Sequence, residues 1–436
     1  MTDLLIRGGS VIDDAGERRA EVLVRGRDII AVADAIDAPA DTRVLDAGGC
    51  VVAPGLVDLH THLREPGGEI AETIETGTRA AALGGYTAVV AMPNTEPALD
   101  HPSVVRDVLA LGRTALAEVA VAAAITVGRR GEKLVPMAEL AALGVRLFTD
   151  DGRGVQDAAV LRRALEYASD LSVVLAEHCE DEALAADGQM HEGAWSSRLG
   201  LPGQPAVAEE AMLARDLALV RLTGSPMHFL HLSSAGSVDL VRRAKAGGLP
   251  VTAEVTPHHL CLTDASVAGY DPVFKVNPPL REQADVDAVR AGLIEGVIDA
   301  IATDHAPHAA ETKEKPFDLA PSGMIGLETA LALSHTLLTT GPPRWPLRDL
   351  FGALSGRPAR IAGLDCAAGG RHGGPIEAGS AANLVVFDPS CEWSVQPDLL
   401  ASRSRNTPFR GMSLQGRVRH TVLEGETVVV DGEAQR

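Results

Sequence analysis

The stretch LVDLHTHLREPGGEIAETIETGTRAAALGGYTAVVAMPN, Leu56 to Asn94, reads as strand, helix, strand. Its first seven residues form an apolar run of strand type, Ile70 to Gly85 has helical length and period, and Thr87 to Asn94 is strand-like again. The alternation continues in EVAVAAAIT (118–126), VRLFTDD (145–151), SVVLAEHCE (172–180), MHFLHLSS (227–234), VTAEVTPHH (251–259) and DAIATDH (299–305). Helical stretches such as SAGSVDLVRRAKAGG (234–248) separate most of them. This rhythm predicts a parallel sheet with crossover helices. Eight such runs over roughly 250 residues match a closed (β/α)₈ barrel of the TIM type. A doubly wound open sheet would alternate too, but no glycine-rich dinucleotide loop follows the first run.

Working outward, both ends of the chain change character. LLIRGGSVID (4–13) and EVLVRGRDIIAVAD (21–34) read as short strands with turns, as do GSAANLVVFDP (379–389) and GRVRHTVLEGETVVVDGE (416–433). The expected organisation is a barrel over residues 54–365 and one small β-rich domain assembled from residues 1–53 and 366–436. Glu311 to Gly323 is polar, with two prolines and no period, and reads as a long loop after the eighth strand. Loops of that length in a compact domain are often lids.

Composition sets limits. The 436 residues are 46% hydrophobic and 22% charged, a globular balance, but only 3% aromatic, so Ala, Val, Leu and Ile must pack the core. A net charge of −20 argues against nucleic acid as a partner. No apolar run is long enough to span a membrane, and the start, MTDLLIRGGSVIDDAGE, lacks the apolar region of a signal peptide. The cytoplasm is the expected location. Five scattered cysteines without a CxxC pair argue against a disulfide framework and a thiolate zinc site, which leaves imidazoles and carboxylates to hold any metal.

Such residues gather at the strand ends, where barrel active sites lie. The first run ends in His60-Thr61-His62, whose imidazoles, two apart in a strand, face one side. The fourth ends in Asp150-Asp151, the fifth in Glu177-His178, the sixth carries His231, and the eighth ends in Asp304-His305. A single strand-end histidine is usually a capping or surface residue; the joint pattern is hard to reach by accident. Imidazoles and carboxylates without thiolates suit catalytic zinc. Four His and two Asp exceed one open tetrahedral ion, so two ions sharing a carboxylate are expected, with Asp304 left to move protons.

Pro54-Gly-Leu-Val-Asp-Leu-His-Thr-His62, with His178, His231 and Asp304, resembles the amidohydrolase superfamily. The continuation Leu63-Arg-Glu-Pro-Gly67, Met92-Pro-Asn94, Phe148-Thr-Asp-Asp-Gly152, Lys275-Val-Asn-Pro-Pro279 and Ala302-Thr-Asp-His-Ala-Pro-His308 is similar to the bacterial dihydroorotases with a bridging aspartate. The resemblance implies zinc-dependent, reversible hydrolysis of the cyclic amide of dihydroorotate to N-carbamoyl-L-aspartate. It implies His60, His62 and Asp304 on one zinc, His178 and His231 on the second, and Asp151 shared. Arg64, Asn94, Asn277, His308 and the Ser322-Gly323 backbone, with His62, would contact the substrate. A homodimer and an association with aspartate transcarbamoylase are the macromolecular partners it leaves open.

A planar guanidinium two residues past His62 suits a substrate carboxylate, and asparagines suit a ring alternating N–H and C=O. The bland alternatives are an ion pair of Arg64 with Glu65 or Glu69, and turns or caps for the asparagines. His258 and His259 are expected to pack after the Thr256-Pro257 turn. Cys179 reads as a small buried hydrophobe, and His101, His228, His335, His372 and His420 as incidental. The competing functions are allantoinase or hydantoinase/dihydropyrimidinase, whose substrates lack the carboxylate, and a non-catalytic partner of aspartate transcarbamoylase, which should have lost ligands. Many relatives bridge their metals with a carboxylated lysine; only Lys275 of the five lysines falls near a strand end.

Overall fold

The computed structural model describes residues 3–341 and 344–435. Its centre is a sheet of eight parallel strands in sequence order: β1 (Leu56–Thr61), β2 (Tyr86–Ala91), β3 (Glu118–Ala123), β4 (Leu147–Phe148), β5 (Val174–Glu177), β6 (Met227–Phe229), β7 (Val251–Val255) and β8 (Ala300–Ile301). All eight expected runs supply one strand each. A parallel bridge between Thr61 and His305 closes the ring, and the His62 amide donates to the His305 carbonyl at 2.9 Å. Asp58 reinforces this seam by accepting from the amide and hydroxyl of Thr303 at 2.7 and 2.6 Å.

Small side chains fill the barrel, as the scarcity of aromatics requires. Leu59, Val90, Ala122, Leu147, Ala176, Leu230 and Ala300 are buried together inside it. Between strands and outer helices lies a larger apolar layer that includes Val89, Val121, Leu161, Leu165, Leu213, Val241 and Leu293. The helices start on sequence-encoded caps. Thr73 forms a capping box on α1 (Ile74–Leu83), and His101, read as incidental, caps α2 (Pro102–Leu111) through its ring. Gly55, just before β1, has no room for a side chain: a Cβ there would lie 2.3 Å from Thr87.

Both chain ends build the β-rich domain. Val51–Pro54 runs antiparallel to the strand Leu384–Ser394 within one seven-stranded sheet, and a four-stranded sheet of N-terminal segments packs beside it. Leu4, Val11, Val22 and Val52 share a core with Leu384, Val386 and Val422. Pro54 still pairs with Leu384, so the sheet reaches one residue past the expected edge at 53. Among the described residues no helix is long and apolar enough to cross a membrane.

The segment after β8 is more ordered than its sequence suggests. Ala310–Lys313 forms a helical turn. The Lys313 ammonium donates to the carbonyls of Pro272, Pro321 and Lys275 at 2.8, 2.8 and 3.3 Å. Lys275 is buried and bonds Gln189 and the carbonyls of Phe317 and Asp318. Two lysines without any periodic pattern therefore hold this segment in place.

Candidate active site

At the C-terminal mouth of the barrel, four imidazoles surround one carboxylate. Asp151 Oδ1 lies 3.4 Å from His60 Nε2, 3.7 Å from His178 Nδ1 and 3.6 Å from His231 Nε2, while Oδ2 lies 3.5 Å from His62 Nε2. Asp304 closes the other side, 3.0 Å from His62 Nε2 and 3.5 Å from His60 Nε2. All six residues are buried. They form two ligand groups, His60/His62/Asp151 and Asp151/His178/His231, each with its ligand atoms within 4.8 Å of one another. Asp150 is used elsewhere: it accepts from the amides of Ile125 and Thr126 at 2.8 and 3.0 Å and braces the end of β3.

The donor set fits divalent metal. His60 Nε2 is buried at the centre with no hydrogen-bond partner, a costly state for a polar atom unless something is to be bound there. Burial opposes charge on His60, but Asp151 and Asp304 outweigh it and hold its pKa well above the ordinary value. Burial alone would raise the Asp304 carboxyl, yet His60 and His62 keep it far below the usual range. The backbone is strained at the same place: His231, Asp304 and Arg64 all have positive φ, at 30°, 45° and 61°. Strain of this kind persists only where the surrounding structure enforces it.

A set of outer partners fixes these ligands, and most of them carry no signal in the sequence. Glu254, in β7, lies 2.9 Å from His60 Nδ1 and 3.0 Å from His228 Nε2. His228, read as incidental, thus belongs to the site's support. Glu180 Oε2 lies 3.4 Å from His178 Nε2. Asn94 Oδ1 lies 2.8 Å from His62 Nδ1, so this asparagine orients a ligand. Each contact sets which ring nitrogen keeps its lone pair. The one trace Glu254 leaves in the sequence is an acidic residue inside an otherwise uncharged strand run; its contact with His60 spans 194 residues.

Arg64 pairs with neither Glu65 nor Glu69; its Nε donates to the Pro307 carbonyl at 3.2 Å, and those glutamates cap the amides of Ile74 and Gly67. Asn277 donates to Glu180 at 2.8 Å. His308 Nε2 bonds the Ser322 carbonyl at 2.7 Å. Gly323 has φ 136°, and a Cβ on it would meet His308 Nε2 at 2.8 Å. Its own amide already donates to the Lys275 carbonyl, and its carbonyl accepts from Asn406. His258 and His259 are buried with ring centroids 4.6 Å apart, His259 held by Thr256 and the Pro278 carbonyl. Cys179 is buried and burial pushes its thiol pKa up. Lys275, the lysine nearest a strand end, spends its ammonium on Gln189 and the carbonyls of Phe317 and Asp318.

Four imidazoles and two carboxylates at the mouth of a (β/α)₈ barrel, beside a β domain made from both termini, define a hydrolase of the amidohydrolase type. Residues 49–237 match the family described as dihydro-orotase-like. The chain is 48% identical to a dihydroorotase of Anaeromyxobacter dehalogenans over 100% of both chains. It is also 48% identical to one of Streptomyces coelicolor, covering 99% of this chain and 100% of that one. Its fold is similar to a dihydropyrimidinase from Brevibacillus agri NCHU1002, with TM-score 0.86, 23% identity and coverage of 100% and 96%. A hydantoinase from Arthrobacter aurescens gives TM-score 0.86 at 24% identity, covering 100% and 98%. The chain belongs to the dihydroorotase family.

Proposed function

We propose that the chain hydrolyses the cyclic amide of (S)-dihydroorotate to N-carbamoyl-L-aspartate, reversibly, in the synthesis of pyrimidine nucleotides. The observation that carries this reading is Arg64, a guanidinium beside the histidine–aspartate cluster that is paired with no carboxylate among the described residues. Allantoin, hydantoins and dihydrouracil have no carboxylate to offer it. Intact ligands weigh against a purely structural partner of aspartate transcarbamoylase, though they leave such a complex, or a homodimer, open to the same chain. Five unpaired cysteines suit the reducing cytoplasm.

Two zinc ions are the expected cofactor: His60, His62 and Asp304 would hold one, His178 and His231 the other, and Asp151 would serve both. Bound there, zinc supplies Lewis-acid polarisation of the amide carbonyl and lowers the pKa of water. Arg64 takes the substrate carboxylate, with Asn94, His308 and the Ser322-Gly323 backbone beside the ring. Asn277 meets the ring. Asp304, at the last strand end, accepts a proton from the attacking water and passes it to the departing ring nitrogen as the C–N bond breaks. Its short arm fixes the distance for both transfers. Such positioned acid–base catalysis typically contributes about 10²–10⁴-fold.

The reverse reaction gives a direct test. Zinc-loaded protein mixed with N-carbamoyl-L-aspartate should yield a product lighter by one water, identified by mass spectrometry as dihydroorotate. N-carbamoyl-β-alanine, which gives dihydrouracil, should remain open. Closure of the second compound alone would refute the assignment.

A further inference from the structure

Just beyond β5, Glu180 carries three neighbours on one oxygen. Its Oε2 accepts from Asn277 Nδ2 at 2.8 Å and Gln204 Nε2 at 2.9 Å, and lies 3.4 Å from His178 Nε2. An ionised carboxylate can only accept, so the Asn277 atom facing it is the amide nitrogen. That choice fixes the other end of the amide. Asn277 Oδ1 is buried without a hydrogen-bond partner, which folded proteins rarely tolerate in an acceptor that nothing will use. Asn94 is arranged the opposite way. Its Oδ1 is taken by His62 Nδ1 at 2.8 Å, which leaves its amide N–H groups for a ligand. The two asparagines therefore offer opposite polarity.

We infer that Glu180 is a positioning residue that sets substrate specificity: it locks the Asn277 amide so that its carbonyl oxygen, not its nitrogen, meets the bound ring. The site then demands an N–H at that edge, as a cyclic ureide has and a lactone or N-alkylated ring has not. This rests on the proposed dihydroorotate reading. A polar site built for one hydrogen-bonding group rejects an analogue lacking it because the buried partner is left unmatched.

A reciprocal exchange tests it. Asn277→Asp places two carboxylates face to face and should raise KM for dihydroorotate by about 10–100-fold, with smaller loss in kcat and unchanged zinc content. Adding Glu180→Gln lets the new amide at 180 donate to the new carboxylate at 277 while an acceptor oxygen still faces the ring. The double variant should recover KM to within a few-fold of wild type. A residue that merely filled space or held metal would give no such recovery. If Asn277→Asp fails to fold, Glu180→Gln alone reads the same effect: because Glu180 also faces His178, it is assayed at saturating zinc, where it should raise KM for dihydroorotate. Thermal unfolding of all the variants reads the 180–277 contact without substrate. Wild-type turnover of dihydroorotate tests the functional reading separately. The inference is overturned if Asn277→Asp, or Glu180→Gln where that stands in, keeps the wild-type KM, if the double variant is no better than the worse single one, or if stability couples while KM does not.

Discussion

Glu254 accepts from Nδ1 of His60 at 2.9 Å, which leaves Nε2 of that ring as the atom facing Asp151 and Asp304. The same carboxylate reaches His228 at 3.0 Å, and all three side chains are wholly buried. The histidines lower the Glu254 pKa to about 2 against the effect of burial, so it stays ionised. Glu254→Gln can still face His60 but no longer with a charge. Outer partners of this kind are typically worth 10–100-fold in metal affinity. Competition with a chromophoric chelator should show a loss of about that size, and unchanged affinity would mean that Glu254 lends the metal ligands no support.

Arg64→Lys replaces a planar fork by a point charge. For dihydroorotate kcat/KM should fall at least about tenfold, the value of one charge-assisted hydrogen bond. Dihydrouracil has no carboxylate and should be nearly indifferent. Equal losses on the two substrates would show that Arg64 serves the fold or the metals instead.

Metal loading should release protons. Burial opposes charge on His178, but Asp151 and Glu180 outweigh it and carry its pKa up to about 10; His60 is raised as well. His178 is thus protonated in the metal-free protein at neutral pH, whereas ligation needs the free base. Calorimetry of zinc binding in buffers of different ionisation enthalpy should give different apparent heats, and affinity should rise with pH. The stability of the metal-free protein follows the same shift. A pKa raised on folding contributes fully below the unfolded value of 6.5 and is lost as pH climbs towards about 10. The metal-free Tm should fall across that window, and a flat or rising Tm would contradict the pairing.

Lys313→Met removes the three carbonyl contacts that pin the segment after β8. His308 and Ser322 then lose their support. KM should rise by about tenfold, with zinc content intact. A wild-type KM would mean that the segment holds its place without the lysine.

Much of this was legible because it is periodic or local. The eight strand runs declared themselves by apolar length and spacing, and the His60/His62 pair by two-residue alternation. The rest depends on contacts between distant parts of the chain. Glu254 looks like an ordinary strand residue until β7 lies across the barrel from His60. Nothing near His228 distinguishes it from His372, which instead joins Thr87 and Glu118. The ordering of residues 310–323 hangs on two lysine ammonium groups, a signal with no period to detect. Arg64 showed its type in the sequence, but its freedom from Glu65 and Glu69 needed three dimensions.

Whether this metal site opens a cyclic amide bearing a carboxylate is decided by the ring absorbance of dihydroorotate after mixing with zinc-loaded protein. Dihydrouracil and allantoin are run beside it at equal concentration. The dihydroorotate signal should fall rapidly, stop falling when a chelator is added and resume with zinc, while the other two rings stay essentially intact. Faster opening of dihydrouracil or allantoin, or an unchanged dihydroorotate signal with zinc fully bound, would contradict the assignment.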